Sequence, residues 1–570
     1  MNPHSEKSGS NPKPVPASSS KDPAPLLIGL DAAPEAFQRE LARLSLGQQP
    51  PKKDLPPARL GVRKQSYVFV WLVFAVFLIA AHGPLFETPY YWDEAGQFVP
   101  ASLDILNGGH WIPTSTLPNV HPPLVMGYLA AVWKVVGQSY LSTRLAMLAI
   151  AAFGVLFAFL LSIDLSRGSP GAPAIVTPVL LCISPLFFAQ SMLAQLDMPA
   201  MAAMCLALLL FLQNRFRDSA LVCIALVLIK ETGLIAPMVF AAWLIAEKRA
   251  REAAWFVLPA VALAGWLVFL KTGTGHWLGS ASFTDYNVFY PLHPIRLSFA
   301  ILRRLYYLFI GSGHIFGTFA LIVAWKKMPL LRSRSWQIAA SLVAAQVIMV
   351  SALGGAVLER YLLPVLPIVY AAFAVSLRAL LGNPRKLVFS ALIASLIAAN
   401  FINPIYPFPF ENNLAFVSFT QLESEATNAA FFVPGVIATT FPLSDALRKP
   451  ELGYVEKARE VVELKDFRAA SIAQLAAHRP DALIVYNTEW DPFHILESGP
   501  AQWFMGKTYG YEPQLSPERI GEILSMRIAR TWERQGLKMS LLVRGRKRDS
   551  LSRNEQRLPQ HPMDALLAVH

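Results

Sequence analysis

Charge is what this chain has least of. Only 15% of its 570 residues are Asp, Glu, Lys or Arg, against 54% hydrophobic. A soluble chain of that length needs far more charge to cover its surface, so a bilayer must serve as solvent for much of it. The mean hydropathy of +0.40 agrees. Cysteine is scarce as well. The three present, Cys182, Cys205 and Cys223, lie inside apolar runs. That excludes a disulfide framework and a zinc spacing, and they read as small packing residues. An apolar run near Met1 is also missing. The first begins near Tyr67, too far along for a cleaved signal peptide, and it reads as a retained signal anchor. No internal repeat is visible, so the inverted-repeat signature of many transporters is absent.

What is there is a positive balance, +12 at neutral pH. The basic residues sit in the tails and in short loops between apolar runs, a pattern that encodes membrane topology rather than nucleic-acid binding. Apolar segments fall near 67–84, 143–163, 174–190, 199–213, 219–229, 233–246, 254–270, 304–324, 336–353, 361–378 and 387–400. The expected fold is an all-α polytopic membrane protein with about eleven transmembrane helices. Arg63 and Lys64, Arg167, Arg215 and Arg217, Lys248 to Arg251, Lys326 to Arg334, and Arg378 to Lys386 then share one side. The positive-inside rule makes that side cytoplasmic. The N-terminus is then inside and everything after Asn400 outside. The absence of cysteine and of glycosylation design from the outer part favours a bacterial inner membrane over an endoplasmic one.

Four parts follow: a disordered cytoplasmic tail over 1–65, a transmembrane unit over 66–400, an extracytoplasmic α/β domain over 401–545, and a disordered tail over 546–570. Inside the first tail, Pro34 to Leu46 spaces Phe37, Leu41 and Leu44 as a short amphipathic helix. The proline-rich first outer loop, Leu85 to Ser142, is expected to hold surface helices, since Leu124 to Val136 is too short to span. In the outer domain, Phe467 to His478 reads as a helix, and Ala482 to Tyr486 and Met539 to Val543 as strands.

Ionisable groups near a bilayer are expensive, so each needs a reason. Five places stand out, all on the outer side. Tyr90-Tyr91-Trp92-Asp93-Glu94 sets adjacent carboxylates among aromatics. Like charge and an apolar wall would make one of them a stronger base; the alternative is an aromatic interfacial belt with two solvated acids. In His121-Pro122-Pro123-Leu124 two prolines aim an imidazole, which serves either substrate or structure. Asp197 precedes Met198-Pro199 at a helix start, where capping is the plainer role. Lys230 lies between two apolar runs of only about a dozen residues, each short for a span. That suggests a recess holding a cation suited to a lipid phosphate, or an internal pair with Glu231. Arg360-Tyr361 opens a later span, as a phosphate fork or as an interfacial anchor.

In this order the motifs resemble the membrane-embedded C-type glycosyltransferases, in the branch of the lipid A aminoarabinose transferases and the protein O-mannosyltransferases. The resemblance covers roughly residues 65–400. It rests on Asp93-Glu94, His121-Pro122-Pro123-Leu124, Arg144-Leu145, Asp197-Met198-Pro199, Lys230 and Arg360 to Pro364. One departure is His121, where the aminoarabinose transferases typically carry lysine. The resemblance implies inverting transfer of a sugar from a polyprenyl-phosphate donor to a lipid, glycan or protein acceptor, without nucleotide. It implies Asp93 and Glu94 as catalytic residues, and His121, Arg144, Asp197, Lys230, Arg360 and Tyr361 as substrate-binding ones. A divalent metal stays open, with Glu94 and Asp197 as its candidate ligands. Two other classes fit the same charges: a lipid-linked sugar flippase or transporter, and a non-catalytic envelope partner.

Overall fold

The computed structural model describes residues 64–167, 174–327, 329–487 and 490–545. The amphipathic segment Pro34 to Leu46 and the expected tails up to residue 63 and from 546 lie outside the described residues. The chain is an integral membrane protein, mostly helical, with a small sheet near its end. Six helical stretches among the described residues are long and apolar enough to cross a membrane: Tyr67–Leu85, Tyr140–Leu165, Ala250–Thr274, Pro294–Lys327, Arg334–Ala352 and Glu359–Ala379.

The helices at the other five expected spans are shorter. Ser184-Pro185 breaks one into Val176–Ile183 and Pro185–Gln190, because the residue before a proline is pushed out of helical conformation. Asp197–Leu212, Phe216–Ile229, Ile235–Ala246 and Gly382–Ala398 have 16, 14, 12 and 17 residues. A helix of sixteen residues reaches about 24 Å, less than the roughly 30 Å hydrocarbon core. One of them is covered by its neighbours instead. Asp197–Leu212 is buried along nearly its whole length, packed between Tyr140–Leu165 and Phe216–Ile229. Gly154 lies at the contact of the first two, where a Cβ would meet Met201 Cε at 2.6 Å and Ala202 Cβ at 3.4 Å.

The bundle has two distinct ends. Glu247, just past Ile235–Ala246, binds Arg334 Nε at 2.5 Å where Arg334–Ala352 begins. Trp336 Nε1 reaches Leu165 O at 3.1 Å on that same end. The opposite ends of these helices, at Lys230 and Leu353, meet around a cavity. The loop after the first membrane helix reaches it with Trp92, Asp93, Gln97, Phe98 and His121, and carries two short helices, Val99–Gly108 and Leu124–Val136. The second buries Val125, Met126, Leu129 and Trp133 along one face.

After Gly382–Ala398 comes a helix, Ala415–Phe431, and then the sheet. Strands β1 (Ile437–Thr440), β2 (Val461–Leu464), β3 (Ala482–Tyr486), β4 (Met526–Arg534) and β5 (Leu537–Arg544) pair in the order β2-β1-β3-β5-β4. The first three are parallel, joined by helices Leu443–Arg448 and Ala469–Leu475, and β5 runs antiparallel to β3 and β4. The expected strands coincide with β3 and with the middle of β5. β1 and β3 are fully buried, as central parallel strands are.

This unit is clamped to the loop after the first membrane helix rather than tethered. Tyr140 donates to Leu452 O at 2.7 Å, Lys449 to Ser115 O at 3.1 Å, and Tyr454 to Tyr90 O at 2.8 Å. Tyr454 also lies 3.1 Å from the buried carboxyl of Glu423. Burial pushes that carboxyl up from 4.5 to about 8, with the tyrosine contact opposing. The folded state therefore holds a proton here that the unfolded chain gives up near 4.5. That stability is full below the lower value and drains as pH rises to about 8. Thermal unfolding of the purified protein should show Tm falling between these limits, and Glu423→Gln, permanently neutral, should flatten the slope.

Candidate functional site

A cavity of about 700 Å³ opens between the helix ends, the first outer loop and the segment after the last membrane helix. Asp93, His121, Lys230, Arg360 and Tyr361 line it, though the sequence spreads them over 269 positions. Glu94, Arg144 and Asp197 do not line it.

The two neighbouring acids part just after Trp92, where the backbone at Asp93 is already helical and successive side chains point different ways. Trp92 has φ +42°, an uncommon value for a bulky residue and a place where strain is stored. Its ring is held 5.7 Å from that of Phe441 and 6.4 Å from that of Phe419. Beyond it Asp93 faces the cavity and binds the Arg360 guanidinium. Glu94 turns into the core, where it accepts from Ala194 N at 2.6 Å and Tyr91 N at 3.0 Å and binds the Arg144 guanidinium. Both members of that second pair are 0% exposed. The expected repulsion between Asp93 and Glu94 is therefore replaced by one guanidinium for each.

Arg360 enters on a short turn, Glu359–Val365, that leads into Leu366–Ser376. Besides Asp93 it meets Glu411 Oε2 at 3.0 Å and Asp197 Oδ2 at 3.4 Å. Lys230 Nζ binds the other oxygen of Asp197 at 2.6 Å and lies 4.1 Å over the Tyr361 ring. Asp197 is thus a strut behind the wall that holds the two cations side by side. Lys230 pairs with it, not with Glu231. Glu231 instead binds His121 Nδ1 at 2.9 Å.

Glu411 is a member that the sequence reading missed. It sits in Phe410-Glu411-Asn412, just beyond the last membrane helix. The signal was the one used at Tyr90 to Glu94, an acid among aromatics next to a span, but it fell beyond the boundary drawn at Asn400. Burial first, and then Asp93 and Asp197 nearby, push its carboxyl up to about 7, against the pull of Arg360 and of a 3.0 Å hydrogen bond from Gln195. Glu231 was noticed only as a partner for Lys230.

The metal expectation does not fit. Among the described residues no group of three or more His, Cys, Asp or Glu side chains is placed to hold an ion. Glu94 and Asp197 face cations with the very oxygens a metal would need. Glu94 and Arg144 pair in the core away from the cavity, and Asp197 contacts both Lys230 and Arg360.

No protein-family model matches the chain, and no curated protein matches it. Solved structures do. ArnT from Cupriavidus metallidurans in the apo state aligns over 84% of this chain and 98% of its own, at 13% identity and a TM-score of 0.50. The same enzyme bound to undecaprenyl phosphate aligns over the same shares, at 12% identity and 0.49. The oligosaccharyltransferase of Archaeoglobus fulgidus in the apo form aligns over 74% of this chain and 70% of its own, at 12% identity and 0.43. What the likeness shows is a shared fold. More particularly, the fold is that of ArnT, shared over nearly the full length of that enzyme.

The Glu94–Arg144 pair makes a prediction separate from chemistry. Removing one partner strands a charge in the core, a loss of about 3–5 kcal/mol. Glu94→Ala and Arg144→Ala should each sharply lower Tm and the yield of folded protein. The double variant Glu94→Leu/Arg144→Met should recover much of both.

Proposed function

We propose that the protein is an integral membrane glycosyltransferase that moves a sugar from a polyprenyl-phosphate donor to an acceptor hydroxyl on the extracytoplasmic face. The observation that carries this is the contact of Arg360 with Asp93, two residues 267 positions apart, on the wall of a cavity large enough for a sugar. The ArnT fold supports it, and ArnT itself has been solved with undecaprenyl phosphate.

In this reading the donor phosphate takes the cations and the acceptor meets the carboxylate. Arg360 is already neutralised by three acids, so an arriving phosphate must displace one of them. Asp93 is the one free to move: its side chain is 30% exposed, against 3% for Asp197 and 5% for Glu411. The exchange hands the fork of Arg360 to the phosphate and frees Asp93 as a general base. The acceptor oxygen then attacks the anomeric carbon as its proton passes to Asp93. The bond from that carbon to the phosphate oxygen breaks on the opposite face. The lipid phosphate leaves with the electron pair, stabilised by Arg360 and Lys230, and the configuration inverts. Positive charge developing on the sugar favours the surrounding carboxylates, as in glycoside hydrolysis.

The basic loops then lie in the cytoplasm and the cavity outside it, in a bacterial inner membrane crossed eleven times by six long and five short segments. Reporter fusions test this directly: one after Asn400 should report outside, one at Lys248 inside. A cytoplasmic signal after Asn400 would remove the common face.

The chemistry is tested with Asp93→Asn, which keeps size and polarity but accepts no proton. Transfer should fall roughly a hundredfold or more, while the bare lipid phosphate binds at least as tightly, one competing carboxylate having gone. Arg360→Ala should lose that binding. Wild-type transfer by Asp93→Asn would end this mechanism.

A further inference from the structure

The cavity contains a second polar station, which the transfer step above does not use. His121 and Glu231 come from different walls, and each side chain is about one-fifth exposed, 20% and 19%. Their 2.9 Å contact makes Nδ1 the donor of the pair. A carboxylate has no hydrogen to give, so Nδ1 of the neutral ring donates to Glu231 and Nε2 keeps its lone pair. Among the described residues Nε2 has no hydrogen-bond partner, and the side chain lines the cavity. Pro122 and Pro123 stiffen the chain behind the ring, and Asn119 Oδ1 accepts from His121 N at 3.0 Å. Phe98 and Phe283 stand 6.0 and 5.9 Å from the ring on either side. Gly279 lets the outer loop that carries Phe283 close down here. Its φ is +87°, and a Cβ would lie 2.6 Å from the Asn119 backbone.

The position of the station matters as much as its chemistry. Glu231 follows Lys230 directly, so their Cα atoms are about 3.8 Å apart. Lys230 reaches toward Asp197 and Arg360, while Glu231 reaches toward His121. A phosphate seated on the two cations therefore holds whatever it is esterified to beside the imidazole.

We propose that the His121–Glu231 pair reads the sugar of the donor, accepting hydrogen bonds from its hydroxyls and rejecting a sugar that carries an anion. This rests on the donor class proposed above. The pair offers a lone pair and a carboxylate, so it suits groups that donate. A uronic carboxylate or a sugar phosphate would face Glu231 with both cations already occupied by the lipid phosphate. Phe98 and Phe283 supply apolar walls for the C–H faces of a sugar ring.

The test uses the full-length protein in nanodiscs of neutral lipid, titrated with polyprenyl phosphate alone and with its glucose, mannose and glucuronic acid esters. At least one neutral ester should bind about tenfold more tightly than the bare lipid phosphate, the worth of one or two hydrogen bonds. The glucuronic acid ester should gain nothing. His121→Asn keeps a donor for Glu231 but lacks Nε2, and Glu231→Gln removes the charge. Both should erase the gain and leave bare lipid phosphate affinity unchanged, with Tm checked for each. Should Glu231→Gln fail to fold, His121→Asn decides alone. A gain that survives the foldable variants, a glucuronic acid ester that binds as well as the neutral ones, or an equal loss for bare lipid phosphate would overturn the proposal. Wild-type protein that binds bare lipid phosphate but neither neutral ester more tightly overturns it alone. Protein that binds no lipid phosphate overturns the donor class as well.

Discussion

A guanidinium buried where a bundle meets the membrane surface must be neutralised, and Arg360 organises the molecule around that demand. Leaving such a charge unpaired in a poorly hydrated site costs several kcal/mol. Asp93 comes from the first outer loop, Asp197 from the start of a buried helix, and Glu411 from the segment beyond the last membrane helix. Three remote parts of the chain thus converge on one side chain. Lys230 joins through the second oxygen of Asp197. Closing the cavity and neutralising the arginine are one event.

The cluster has one more acid than base, three carboxylates around two cations. Glu411 absorbs the excess, because its raised carboxyl can hold a proton near neutral pH. The Glu94–Arg144 pair does a different job. Its guanidinium also donates to the carbonyls of Thr88, Pro89 and Met192, each at 3.1 Å. It pins the loop bearing Asp93 to the segment bearing Asp197. The two neighbouring carboxylates thereby divide chemistry from scaffolding, each with its own arginine.

The sequence was legible where one residue type has one physical reason to be where it is. Apolar run lengths, the sidedness of Lys and Arg, and acids beside aromatics near a span led to the polytopic helical fold and to Asp93, His121, Lys230, Arg360 and Tyr361. It was not legible where direction decides. Asp93 and Glu94 are adjacent and alike, and the helical turn they open points them to different neighbours. Lys230 and Glu231 are adjacent and opposite in charge, which suggested a pair, yet a tight turn sends each to another partner. Glu411 was lost because the chain after Asn400 was read as a separate domain. Tyr454 and Tyr140 bind that unit to the first outer loop by side-chain to backbone contacts, which leave no periodic trace in a sequence.

The short helices explain why such a site can exist at this depth. Phe216–Ile229 and Ile235–Ala246 each stop short of the bilayer thickness, and Glu231–Leu234 joins them as a tight turn. Irregular backbone at membrane depth survives only where protein buries it or a cavity receives it. Here both hold. Gly233 is packed under Leu226, whose atoms would come within 2.6 Å of an added Cβ, and Lys230 and Glu231 open onto the cavity. A full-length pair of helices would carry that turn out to bulk water and leave Lys230 solvated, a weak partner for phosphate. Ending them early keeps the cation where the local dielectric is low and its attraction to an anion is strong. The two abbreviated helices on either side of this turn are therefore the means by which a helical bundle, otherwise closed to polar chemistry, acquires a recess for it.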